Sequence, residues 1–221
     1  MLLAVVLLYV GAVLAVNGLW LVGQARAAAA AAPRMATASA STEAVTEAGS
    51  STAVAVRRAE ASPLFIQNRE IAVLNVFTGF IGVVGALTLL VVGTLDDDLA
   101  LVRGSGFILL FAFTYLWVAA NQFLNAGGRA FGWYCLFVAI TAIPAGIYTL
   151  QAADGNTAVI WLGIDWFAWA LLWAMFWALL VLPVPPVFAI LAGVLATIEG
   201  IGTSWALAIA VLEGKLSFLP A

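Results

Sequence analysis

The sequence contains no histidine and only one cysteine, Cys135. Without histidine, the chain has no imidazole to serve as a general base, a metal ligand or a switch near neutral pH. A single cysteine excludes an intramolecular disulfide and a thiolate metal cluster. Because Cys135 lies in an apolar run, we interpret it as a small buried hydrophobic side chain, and we expect neither a metal nor a cofactor.

Charge is also scarce: 9% of the 221 residues are charged and 65% are hydrophobic, with a mean hydropathy of +1.14. Soluble domains usually carry about 25% charged residues, so this chain has too few charges to cover a globular surface. We expect most of its surface to contact membrane lipid. The net charge of −3 comes with no basic face, which argues against a nucleic-acid partner.

Long apolar runs are what the sequence has in abundance. A bilayer core of ~30 Å requires about 20 residues of helix. Six runs meet this length, namely Leu2–Val22, Ile71–Val92, Gly106–Leu124, Phe131–Leu150, Val159–Leu182 and Val187–Leu212. No basic residue precedes the first run, so we expect a retained helix rather than a signal peptide. The sequence therefore predicts an all-α integral membrane protein with six transmembrane helices.

The connections predict how the helices are arranged. Those after the second helix are short, which predicts three two-helix hairpins: helices one and two, three and four, and five and six, within a single domain over residues 1–221. The first connection differs, because residues 24–68 are rich in Ala, Ser, Thr and Glu. Such a stretch has little apolar surface to offset its ordering entropy. We predict a flexible loop there, with helix over the run Ala27–Ala32.

The distribution of arginine predicts the orientation, since cytoplasmic loops of membrane proteins are enriched in Arg and Lys. The first and third loops carry Arg26, Arg34, Arg57, Arg58, Arg69 and Arg129, and the second and fourth carry Asp96, Asp97, Asp98 and Asp154 against the single Arg103. The odd-numbered loops, including 24–68, are therefore predicted to be cytoplasmic. Both termini are predicted to lie outside.

Glu199 is the first candidate functional residue, because it lies near the middle of the sixth apolar run. An acid at the bilayer centre costs about 2.5–3.5 kcal/mol on insertion scales, and no Lys or Arg lies in any predicted helix core. The carboxyl group either faces a polar path or forms structural hydrogen bonds between helices. The amides of Asn17, Asn75 and Asn121 allow the same two interpretations, since amides often bond across helix interfaces in membranes.

Aromatic side chains form stripes at helical spacing, in which residues three or four apart share a face. The stripes are Trp166, Trp169, Trp173 and Trp177 on the fifth helix and Phe107, Phe111 and Tyr115 on the third, with an apolar stripe of Leu3, Leu7, Val10, Leu14 and Asn17 on the first. An interfacial belt would place tryptophans at helix ends, whereas Trp169 and Trp173 lie deeper. A packed core and the lining of a path both fit this pattern.

A path with aromatic walls and no fixed cation suits a small neutral molecule. A bare ion would lose its hydration there without compensating ligands. A planar amide can stack on aromatic rings, donate N–H groups to carboxylate or amide oxygens, and accept from indole or hydroxyl donors. These considerations alone do not select urea over glycerol or ammonia.

Motifs in five of the six runs resemble the urea/amide channel family, AmiS/UreI, whose members include acid-gated urea channels. They are Leu7–Gly11 with Asn17 and Gly18, Phe111–Leu116 with Ala119–Asn121, Trp133–Ile140 with Ile143–Ala145, Trp166–Trp173, and Ile198–Gly200 with Thr203 and Trp205. The motifs follow one another in the order of the family. This ordered match is far more specific than any one short motif.

The resemblance implies a passive channel for urea or short-chain aliphatic amides in the bacterial plasma membrane, supplying a cytoplasmic urease or amidase. It implies a pore within each protomer and a homo-hexamer. The pore-lining positions it implies are Leu7, Val10, Leu14, Phe111, Tyr115, Trp166, Trp169, Leu172, Trp173 and Glu199. Asn17, Asn75, Asn121 and Thr203 are secondary polar candidates.

This chain departs from the acid-gated members of the family, which carry histidines in their extracellular loops. Since the chain has no histidine, we expect a channel that is not switched between about pH 5 and 7. Two other classes of function stay open from the residues alone. One is a structural or partner-binding membrane protein whose tryptophans only pack. The other is a membrane-embedded enzyme, which is disfavoured because a lone Glu199 is weak catalytic machinery.

Overall fold

The structure, a computed structural model, describes residues 1–38 and 65–218. Its helices are α1 Leu2–Ala38, α2 Asn68–Leu95, α3 Leu99–Leu124, α4 Arg129–Gln151, α5 Thr157–Val181 and α6 Val187–Leu212. Each contains a span long and apolar enough to cross a membrane. No strand occurs among the described residues, and the predicted all-α protein with six transmembrane helices is confirmed.

Polar side chains in the short loops start the next helix. The Asp98 carboxylate accepts hydrogen bonds from the backbone N–H groups of Ala100 at 2.8 Å and Leu101 at 3.1 Å, at the start of α3. Asn156 caps α5 in the same way, accepting from the N–H of Ala158 at 3.0 Å. Such caps satisfy backbone donors that have no partner within the helix, so they fix where α3 and α5 begin.

Helix α1 extends beyond its apolar run and changes the boundary predicted for the first loop. It continues to Ala38, so the loop expected over residues 24–68 starts later than predicted. The Ala27–Ala32 run explains the extension, since alanine has the highest helix propensity. Where this extension begins, Gln24 donates to the carbonyl of Ile66 at 3.1 Å and fastens α1 to the segment that precedes α2. Residues 39–64 of the predicted loop lie outside the described residues, and α2 begins at Asn68.

The helices pack most extensively as α2 with α3, α4 with α5, and α1 with α6. The hairpins expected from the sequence, which pair helices one and two, three and four, and five and six, are also in contact, but less extensively. Loop length does not distinguish these pairs, because all connections after α2 are short. Close packing instead follows the small residues, which allow helix backbones to approach each other in membranes.

The contact between α1 and α6 shows why glycine is required. A Cβ atom at Gly18 would lie 2.3 Å from the carbonyl oxygen of Gly193, and one at Gly200 would lie 2.7 Å from the carbonyl oxygen of Gly11. Neither position has room for a side chain. The first and last helices therefore pack backbone to backbone, which closes the bundle.

Helix α6 is not regular throughout. It consists of an α-helical segment Val187–Glu199, a π-helical segment Gly200–Trp205 and a second α-helical segment Ala206–Leu212. The Thr203 hydroxyl donates to the backbone carbonyl of Glu199 at 2.5 Å. π-Helical turns are rare and often occur at functional sites, and this one follows Glu199 directly.

The α1–α6 contact predicts different effects for two glycines in the π-helical segment. Gly200→Ala should lower the thermal unfolding temperature of the detergent-solubilised protein, because its Cβ would lie 2.6 Å from the backbone nitrogen of Ala15 and overpacking typically costs about 1–3 kcal/mol. Gly202→Ala is the matched control, since a Cβ there meets no atom within 4 Å. Equal unfolding temperatures for the two variants would contradict the inferred close approach.

Candidate functional site

A cavity of about 270 Å³ lies among the first five helices. At one end its walls are formed by residues near the ends of α3, α4 and α5, including Arg103, Ala152 and Val159. These helix ends lie on the same face of the bundle as the start of α1. The cavity continues inwards to Tyr115 and Trp169, which lie in the middle of their helices. It is therefore a vestibule that reaches about halfway through the bundle.

The inner end of the vestibule is formed by aromatic rings from α3 and α5. The ring of Phe111 lies 5.2 Å from that of Trp166, 5.4 Å from that of Trp169 and 5.1 Å from that of Trp173, measured between centroids. The backbones of α3 and α5 do not pack directly against each other. Aromatic side chains bridge the space between these two helices, so ring faces and edges line much of the gap between them.

The structure places six of the ten predicted pore-lining residues in the wall of the vestibule: Leu7, Val10, Phe111, Tyr115, Trp166 and Trp169. The other four, Leu14, Leu172, Trp173 and Glu199, are buried outside this wall. Trp173 packs behind the wall of the vestibule, since its ring centroid lies 6.4 Å from that of the wall residue Tyr115. The halves of the stripes on α1, α3 and α5 that lie nearest the opening thus face one interior space.

Several buried polar atoms near the inner end of the vestibule have no hydrogen-bond partner among the described residues. The donors are the Tyr115 hydroxyl and the Nε1 atoms of Trp169 and Trp173, and the acceptors are both carboxyl oxygens of Glu199. Each of these residues is less than a tenth exposed. Buried polar groups are nearly always hydrogen-bonded, because an unpaired one is costly. These unpaired donors and acceptors match a small molecule that carries both a carbonyl and N–H groups.

Sequence reasoning missed a second buried acid, Asp165 on α5. Its side chain is 1% exposed, its Oδ2 atom has no partner among the described residues, and it lies within electrostatic range of Glu199. The signal was available, since Asp165 is a carboxylate inside the predicted span Val159–Leu182.

The wall of the vestibule contains four more polar residues that the sequence did not single out as site residues. Thr78 on α2 has a buried hydroxyl oxygen without a partner among the described residues, and Arg103, Tyr148 and Thr149 line the vestibule from α3 and α4. The guanidinium carbon of Arg103 lies 4.9 Å from the centre of the Tyr148 ring. Only the three-dimensional arrangement identifies these residues, because they come from α2, α3 and α4.

Three of the four secondary polar candidates, Asn17, Asn75 and Thr203, form hydrogen bonds within or between helices. Asn17 and Asn75 exchange two side-chain hydrogen bonds, of 3.1 Å and 2.7 Å, between α1 and α2, and Asn75 also donates to the carbonyl of Ile71. Thr203 bonds the backbone of its own helix, as described above. Asn121 is half-buried, and none of the four lines the vestibule.

Comparison with known proteins identifies relatives in one family. The profile of the AmiS/UreI family transporter matches residues 62–215. The "Putative transporter protein AmiS2" of Rhodococcus erythropolis is 30% identical to this chain over a gapped alignment of 236 residues. The alignment covers 97% of this chain and 91% of the relative. The "Acid-activated urea channel" of Helicobacter pylori is 32% identical over 162 residues, which cover 63% of this chain and 82% of the relative.

Solved structures show the same similarity. The crystal structure of the urea channel from the human gastric pathogen Helicobacter pylori matches with a TM-score of 0.67 and 26% identity, over 97% of this chain and 99% of that one. The cryo-EM structure of the Helicobacter pylori urea channel in a closed state matches with a TM-score of 0.68 and 26% identity, over 96% and 98% of the two chains. The similarity therefore extends over all six helices.

The reciprocal amide pair predicts strong coupling between Asn17 and Asn75. Replacing either one by Leu should destabilise the protein, because the remaining amide loses its partner, and an unsatisfied buried group costs about 1–3 kcal/mol. The double variant should cost less than the sum of the two single variants. Thermal or denaturant unfolding of all four proteins in one detergent measures this double-mutant cycle. Strictly additive effects would show that the two amides act independently.

Proposed function

The chain belongs to the AmiS/UreI family of transporters, and from this premise we propose that it is a passive channel for urea or short-chain aliphatic amides. The observation that carries the proposal is the group of unpaired donors and acceptors at the inner end of the vestibule. The family consists of membrane transporters and channels rather than enzymes. Its relatives' substrates, urea and amides, have the chemistry that these groups would bind.

The unpaired groups match an amide on both of its sides. The carbonyl oxygen of an amide can accept from the Tyr115 hydroxyl or from the indole N–H of Trp169, both of which line the vestibule. Its N–H groups can donate to Glu199, which lies within electrostatic range of the Tyr115 hydroxyl. Its flat face can stack on the rings around Phe111. We therefore place the narrow part of the path at the level of these side chains.

A path of this composition favours a neutral molecule over a strongly hydrated ion. Aromatic and aliphatic walls replace few of the water contacts that an ion would lose on entry. A small amide loses less hydration and regains its hydrogen bonds from groups that otherwise have no partner. Transport through such a path is passive, because the concentration gradient of the amide supplies the driving force.

The orientation and assembly of the channel are part of the proposal. With both termini outside the cytoplasm of a bacterial cell, the vestibule opens to the exterior, and the amide leaves towards a cytoplasmic urease or amidase. The family resemblance supports a homo-hexamer with one path in each protomer. Without histidine in the chain, the path has no imidazole that would gate it at mildly acidic pH.

Reconstituted protein should accelerate the uptake of urea and acetamide into liposomes, with equal rates at an external pH of about 5 and about 7. Stopped-flow light scattering measures both solutes in one preparation, and protein-free liposomes are the control. Uptake equal to that control would refute the channel and favour a structural role for the tryptophans. A several-fold increase on acidification would refute only the absence of acid gating.

The route through the vestibule predicts that a side chain placed at its outer end slows uptake. Gly104 lines the vestibule, and a Cβ there meets no atom within 4 Å, so the leucine of Gly104→Leu would occupy the open space. Urea and acetamide uptake should fall several-fold without loss of thermal stability. Gly127→Leu is the matched control, because Gly127 has the same free space in the α3–α4 loop and lies outside the vestibule wall. Equal uptake by both variants would place the path elsewhere.

A further inference from the structure

Arg103 is the one charged residue in the wall of the vestibule, as far as the structure describes it. Its side chain is exposed, and its guanidinium group lies over the ring of Tyr148 at 4.9 Å, which also lines the vestibule. Within the described residues, no carboxylate forms an ion pair with it. The outer part of the vestibule therefore carries one positive charge without a compensating negative one.

The inner end of the path presents the opposite chemistry. Glu199 and Asp165 offer buried carboxyl oxygens without partners, and no Lys or Arg is buried among the described residues. Aromatic faces such as those of Trp166 and Trp169 attract organic cations. Guanidinium is a planar cation of about the same size as urea, with a third NH₂ group in place of the carbonyl oxygen. Shape, stacking and carboxyl acceptors thus favour guanidinium at least as strongly as urea.

We propose that Arg103 is a specificity-determining residue that excludes cations from the vestibule by electrostatic repulsion. This inference rests on the proposed amide channel and adds the charge selectivity that the inner groups alone would not supply. A neutral amide experiences no such repulsion, and its carbonyl oxygen can accept a hydrogen bond from the guanidinium group. Stacking on Tyr148 holds the exposed charge beside the route.

The exposed position of Arg103 gives the proposal a distinctive signature. Charges near the surface are screened over about 10 Å at 0.1 M salt and over about 3 Å at 1 M. Exclusion of a cation by Arg103 should therefore weaken as ionic strength rises, whereas uptake of urea should not change. A purely structural role for Arg103 would produce no such salt dependence.

The test compares uptake of urea and of guanidinium, at millimolar concentration, into proteoliposomes containing the wild-type chain, Arg103→Gln or Arg103→Lys. We expect Arg103→Gln to raise the ratio of guanidinium to urea uptake by about fivefold, equivalent to ~1 kcal/mol. Arg103→Lys should keep the wild-type ratio, because it keeps the charge. Arg129→Gln is the matched control, since Arg129 is also exposed but lies at the opposite end of the bundle and outside the vestibule wall.

Each outcome decides a separate question. If the wild-type chain transports urea and Arg103→Gln leaves the ratio unchanged, the inference about Arg103 is wrong and the amide channel stands. The inference is equally wrong if the wild-type chain transports guanidinium as fast as urea at low salt. If the wild-type chain transports neither urea nor acetamide, the proposed channel itself fails. A raised ratio in Arg103→Gln, together with a wild-type ratio that rises with salt, supports the inference.

Discussion

A polar group inside the hydrocarbon core of a bilayer has no water to bond, and this constraint governs the whole structure. It requires the backbone to satisfy itself within helices, so each span is helical. It also pairs side chains, as in the two hydrogen bonds between Asn17 and Asn75. Against this background, Tyr115, Trp169 and Glu199 are exceptions, because they carry buried polar atoms without a hydrogen-bond partner among the described residues. These atoms are the ones that the proposed channel would use to bind an amide.

The vestibule exists because the helices pack closely in some pairs and loosely between others. Glycines let α1 approach α6, and the same kind of contact occurs where Gly79 meets Leu116 between α2 and α3 and where Gly163 meets Leu150 between α4 and α5. Close packing within these pairs leaves a space between α3 and α5, and large aromatic residues of the two helices face each other across it. Small residues at one set of interfaces and bulky residues at another thus leave an interior space, while each helix stays in contact with its neighbours around the bundle.

The sequence predicted the features that depend on a single helix, namely its span and the face on which a residue lies. Length and hydropathy identified all six spans, and spacing identified the faces that carry Phe111 and Trp169. It did not predict what depends on two helices meeting in space: the extensive contact between α1 and α6, or Arg103 beside Tyr148. Periodicity assigns a residue to a face of its own helix but does not say which neighbour that face meets. Asp165 is a different case, because the sequence alone already shows a carboxylate inside the fifth apolar run.

The π-helical segment after Glu199 has a geometric consequence for α6. A π-helical turn accommodates one residue more than an α-helical turn, so it acts as a single-residue insertion within a continuous helix. One residue corresponds to about 100° of rotation about the axis. The two halves of α6 are therefore out of phase, and a helical wheel drawn through Val187–Leu212 would misassign the C-terminal segment Ala206–Leu212. Removing one residue from Gly200–Trp205 would rotate one half against the other, and the face that now packs on α1 would change its orientation relative to Glu199.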